Sequence, residues 1–125
     1  MAAKCVLLID DEKYLSSVIR VCLEKLGGWR VLTAESGREG LQLAQSEQPD
    51  AVLLDVMMPD MDGLAVLQAL KESPCTQNIP VIVLTAKVQP FAPEDDGQFK
   101  IAGVLAKPFD PMTLAQQVSE MLNWF

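Results

Sequence analysis

Apolar residues along the chain fall into short continuous runs separated by stretches with a helical period. Cys5 to Ile9, Arg30 to Ala34, Ala51 to Leu54, Val81 to Thr85 and Val104 to Ala106 read as buried β-strands, being short and rich in branched residues. Between the first two, Leu15, Val18, Ile19, Cys22, Leu23 and Leu26 recur at helical spacing, and Gly27-Gly28 supplies the stop. A second helix is predicted from Ser36 or Gly37 to Glu47, with Ser36 as cap, Glu39 as its capping-box partner and Pro49 as terminator. A third starts near Gly63, turns Leu64, Leu67 and Leu70 inward, and ends before Pro74. The last starts at Pro111 behind an Asp110 cap and buries Leu114, Val118, Met121 and Leu122. The segment from Lys87 to Gly103 carries two prolines and an internal glycine, and predicts only a short helix around Glu94 to Lys100. Strands alternating with helices define an α/β protein with a parallel sheet.

Composition narrows the class. The 125 residues, half of them apolar, suit one domain spanning residues 1–125. The longest apolar runs are far shorter than the roughly 20 residues of a membrane span, so a soluble, cytoplasmic protein without membrane contact is expected. Ten bases against 17 acids give a net charge of −7, and no basic run could track a phosphate backbone, which argues against direct nucleic-acid binding. Three scattered cysteines, Cys5, Cys22 and Cys75, read as reduced thiols. Histidine is absent, which excludes a Ser-His-Asp or Cys-His site, a His-ligated zinc and a phosphohistidine on this chain.

Carboxylates, hydroxyls and lysines therefore have to carry any chemistry. Asp10 and Asp11 follow the first strand, Asp55 the third and Lys107 the fifth, while Thr85 closes the fourth. In an open α/β sheet that carboxyl edge is where ligands bind. Taken singly, each residue has a plain explanation: the Asp10-Asp11-Glu12 run favours a helix N-terminus through its dipole, and Asp60, Asp62 and Gly63 suit a turn. Their joint placement at one end of four strands is what points to a site. Converging carboxylates repel unless a cation joins them, and a hard, oxygen-seeking ion such as Mg²⁺ would do so. A carboxylate beside Mg²⁺ and a lysine can also attack phosphorus and give an aspartyl phosphate.

The fragments "LLIDDE", "LLDVMMPDMDG", "VIVLTA" and "LAKPFDP" together resemble the receiver domain of two-component response regulators, over essentially all of Cys5 to Trp124. The resemblance implies a five-stranded parallel sheet in the flavodoxin-like order 2-1-3-4-5 with helices on both faces. It implies that Asp55 accepts a phosphoryl group from a phosphohistidine on a partner histidine kinase or histidine phosphotransfer protein. Asp10, Asp11 and Asp55, with the backbone carbonyl of Met57, would hold Mg²⁺. Thr85 would act as the switch residue and Lys107 would pair with the phosphoryl oxygens, aimed by a cis Lys107-Pro108 bond. The small Ala86 after Thr85 implies slow self-dephosphorylation. Where receivers often carry Tyr or Phe, three residues before the lysine, this chain has Val104. The readout is therefore expected to shift to the Lys87 to Gly103 segment, with Phe91 as an exposed contact. The output would pass through a downstream protein, and a homodimer through the fourth and fifth helical segments fits the same family.

Two other classes compete. A Mg²⁺-dependent phosphohydrolase would carry a second Asp two residues after the nucleophile, where this chain has Met57. A phosphorylation-independent binding module would have lost an acid or the lysine, and none is missing. A nucleotide-binding domain is disfavoured because neither G-x-G-x-x-G nor a P-loop follows the first strand.

Overall fold

The computed structural model of the chain describes residues 4–56, 63–85, 101–106 and 110–124. Five strands, β1 (Cys5–Ile9), β2 (Arg30–Ala34), β3 (Ala51–Asp55), β4 (Val81–Thr85) and β5 (Gly103–Ala106), pair in parallel in the order 2-1-3-4-5. The α-helices among the described residues are α1 (Lys13–Cys22), α2 (Gly37–Glu47), α3 (Gly63–Glu72) and α4 (Pro111–Leu122).

A parallel sheet needs crossover helices, and these cover both faces, so its central strands are apolar on both sides rather than alternating. β3 and β4 are buried at every position. On one face Val6, Leu8, Leu53, Ile82 and Leu84 pack against Ile19 of α1 and Leu114, Ala115 and Val118 of α4. On the other, Leu7, Ile9, Val52, Leu54 and Val83 meet Ala44 of α2 and Val66, Leu67 and Leu70 of α3.

The caps follow the sequence, with one variation. Ser36 Oγ accepts the Glu39 N–H (3.1 Å), but Glu39 reaches back to the N–H of Glu35 (2.8 Å) instead of that of Ser36. Asp110 Oδ1 accepts the Met112 N–H (2.9 Å), with Pro111 in the first turn of α4. α2 ends at Gln48, whose φ of 48° is left-handed, and the buried Pro49 follows.

Two inward assignments are overturned. Leu26, expected on the buried face of the first helix, is 51% exposed. The chain leaves α1 through a π-helical turn, Leu23–Gly27, before the left-handed Gly28. Its wider i→i+5 turn advances less per residue than an α-helix, which swings Leu26 toward solvent. Leu64 is also exposed, because Gly63, Val66, Leu67 and Leu70 form the inward stripe of α3 and Leu64 lies about 100° away from Gly63. The expected helix near residues 94–100 lies outside the described residues.

Candidate functional site

The sheet brings the predicted acids together. Asp55 is the last residue of β3 rather than the first after it, and Asp10 directly follows β1, its hydrogen-bonded neighbour. One carboxylate oxygen each from Asp10, Asp11 and Asp55 lies within 4.8 Å of the others. Asp10 and Asp55 are almost fully buried and Asp11 is half-buried. Thr85 is buried at the end of β4, one residue beyond Leu84, the cross-strand partner of Asp55.

Local hydrogen bonds hold the β1 end of this cluster. The Asp10 N–H donates to the Ala34 carbonyl (3.0 Å), extending the β1–β2 ladder by one residue. Asp10 Oδ1 accepts the Glu12 N–H (2.9 Å), an Asx-type turn that starts the path into α1. The Ser16 hydroxyl donates to the Asp10 carbonyl (3.4 Å) from the first turns of α1. Ser16 was not singled out from the sequence, though a serine among the apolar positions of α1 is the kind of signal that could have found it.

Three carboxylates so close repel one another, and the cost rises with burial. Hard oxygen donors on two adjacent strand ends, partly open at Asp11, match a hard divalent cation that keeps some of its waters. A separate cleft of about 180 Å³ lies between α1 and β2, lined by Lys13, Ser16, Ser17, Arg20, Thr33 and Glu35. Its charges are answered within the chain: Lys13 faces Glu35 at 3.8 Å and Arg20 faces Glu24 at 3.3 Å. The acid cluster is the stronger candidate.

Val104 lies in β5, half-buried against the cluster of α2 and α3. It pairs with Val83, two residues before Thr85. Lys107, the Lys107-Pro108 bond, Met57, Ala86 and Phe91 lie outside the described residues. Cys5, Cys22 and Cys75 form no disulfide, and none joins the acidic cluster. No helix of the described residues is long and apolar enough to cross a membrane.

A doubly wound sheet with buried acids where its winding reverses, between β1 and β3, defines a class of ligand-binding α/β domains. The family match is specific: residues 6–119 fit the response regulator receiver domain, and the chain belongs to that family. It is 33% identical to the alkaline phosphatase synthesis transcriptional regulatory protein PhoP of Bacillus subtilis, over 96% of this chain and 49% of that protein. It is 34% identical to protein PilH of Pseudomonas aeruginosa, over 94% of this chain and 96% of PilH. The chain thus spans about half the length of PhoP and the other transcriptional regulators it matches. Among solved structures, the receiver domain of sensor histidine kinase PA1611 from Pseudomonas aeruginosa superposes with a TM-score of 0.82 at 26% identity, covering 98% of this chain and 99% of that one. That domain is described with a magnesium ion coordinated in its active-site cleft.

Proposed function

We propose that this receiver domain, spanning residues 1–125 as one unit, is a cytoplasmic phosphorylation switch in which Asp55 is the phosphoacceptor. The observation that carries the reading is the convergence of the Asp10, Asp11 and Asp55 carboxylate oxygens within 4.8 Å, beside Thr85. Asp10, Asp11 and Asp55, with the carbonyl of Met57, would hold Mg²⁺, which when bound would neutralise the acids and the incoming phosphoryl oxygens. The magnesium in the PA1611 receiver supports this assignment.

The donor is a phosphohistidine on a histidine kinase or histidine phosphotransfer protein, since this chain has no histidine of its own. An Asp55 carboxylate oxygen attacks phosphorus, the P–N bond breaks, and the imidazole leaves with the bonding pair and takes up a proton. Thr85 donates its hydroxyl to a phosphoryl oxygen and Lys107 supplies a compact positive charge. Water later attacks the aspartyl phosphate past the small Ala86, so the switch resets itself slowly. The signal leaves by protein contacts through the segment containing Phe91, with Val104 in place of a rotating aromatic ring.

Intact-mass spectrometry after incubation with acetyl phosphate and Mg²⁺ tests the reading. One phosphoryl adduct is expected on the wild type, dependent on Mg²⁺ and absent from Asp55→Asn. An adduct that survives in Asp55→Asn places the acceptor elsewhere.

A further inference from the structure

Two helices on one face of the sheet each press a glycine against a strand end beside an acid. A Cβ on Gly40, within α2, would overlap Ile9 Cδ1 and lie 2.7 Å from Ile9 Cγ1. Ile9 immediately precedes Asp10. A Cβ on Gly63, at the start of α3, would overlap Val56 Cα and lie 2.7 Å from Val56 Cβ. Val56 immediately follows Asp55.

The two contacts differ in kind. Against Gly40 the obstacle is the end of a side chain, which can turn. Against Gly63 it is main chain, so either the start of α3 or the backbone next to Asp55 has to move. That backbone is also tied to β4, because the Val56 N–H donates to the Leu84 carbonyl (3.2 Å), one residue before Thr85.

We propose that Gly63 is a positioning residue for the acidic site: its missing side chain seats α3 on Val56 and so fixes the carboxylate of Asp55 relative to that of Asp10. Gly40 is its weaker counterpart on the Asp10 side. Alanine is a better helix former than glycine, so any loss in Gly63→Ala comes from the contact and not from α3 itself. The inference rests on the reading of Asp10, Asp11 and Asp55 as a Mg²⁺ site.

Calorimetric titration with MgCl₂, paired with urea unfolding of each protein, tests it. Gly27→Ala is the control, because its Cβ would meet the Trp29 ring at 2.8 Å, just ahead of β2 at the opposite edge of the sheet. Gly63→Ala is expected to weaken Mg²⁺ binding tenfold or more. Gly40→Ala should weaken it two- to threefold, with partial recovery in Gly40→Ala/Ile9→Val. Gly27→Ala should lose stability with its Mg²⁺ affinity unchanged. Wild-type affinity in Gly63→Ala overturns the inference, as does an equal loss in Gly27→Ala at equal destabilisation. If Gly63→Ala does not fold, the Gly40 pair decides: loss recovered by trimming Ile9 supports the inference, and unchanged affinity overturns it. A wild type that binds no Mg²⁺ removes the site reading and this inference together.

Discussion

The two edges of the sheet gather polar groups of different kinds. At the amino edge opposite charges and hydrogen-bonding partners meet. Asp50 Oδ2 accepts the Cys5 N–H (2.7 Å), the Asp50 N–H donates to the Cys5 carbonyl (2.7 Å), and Arg30 pairs with Glu47 (3.5 Å). Trp29 and Trp124 meet edge to face with centroids 5.2 Å apart, and Lys4 Nζ lies 5.2 Å from the Trp124 ring. At the carboxyl edge three like charges are gathered and partly buried. One edge closes the fold, while the other holds electrostatic repulsion that a cation can relieve. On the proposed reading, the fastening contacts and the phosphorylation site lie at opposite ends of the same strands.

The comparison is tested most strongly at Asp10. Asn at this position can still accept the Glu12 N–H while removing one like charge. Without divalent cation, Asp10→Asn is expected to melt above the wild type. Wild type at a Mg²⁺ concentration 100 times its dissociation constant should gain about 2.7 kcal/mol, and Asp10→Asn less than half of that. Thermal melts with and without MgCl₂ read both effects, and a wild type indifferent to Mg²⁺ would erase the distinction between the edges.

A smaller effect is expected from Trp124→Ala, which removes the ring pair and half-buried apolar surface at a cost of about 2 kcal/mol. Its Mg²⁺ affinity should match that of the wild type in the same titration. A drop in affinity would show that the amino edge is not merely a fastening.

The smallest expected effect lies between the edges, at Lys71 on α3. Its Nζ donates to the carbonyls of Ile79 (3.0 Å) and Gln77 (3.4 Å), and burial pushes its pKa below the ordinary lysine value. Between the lowered and the ordinary value the unfolded chain binds more protons than the folded one, so stability rises with pH across that window. The stability of the wild type relative to Lys71→Met should therefore increase as pH climbs toward the ordinary lysine range. Urea unfolding at several alkaline pH values checks the slope, and a flat or falling difference would contradict it.

The strands could be read in the sequence because each is a short apolar run buried on both faces, and β3 and β4 show this most clearly. The acids could be read because their positions at strand ends share one edge of the sheet. Leu26 and Leu64 could not, for geometrical reasons. A π turn leaves the same apolar spacing as an α-helix but rotates the residues within and beyond it. The series Leu64, Leu67, Leu70 steps by three residues, which drifts about 60° per step from a straight stripe. Gly40 and Gly63 were opaque for another reason: a close approach between helix and strand depends on the partner's position, which no local pattern encodes. The expected roles of Met57 and Phe91 came from family resemblance and that of Lys107 also from its place after the fifth strand, and all three residues lie outside the described residues.

The Trp29–Trp124 pair also decides what light can report. These are the chain's two tryptophans, and both lie at the amino edge, away from the acids. An ion or phosphoryl group at the carboxyl edge has no indole beside it to quench. Any change in tryptophan emission on adding Mg²⁺ or acetyl phosphate would therefore be a message carried along the strands, which makes the natural fluorophores a gauge of transmission rather than of occupancy.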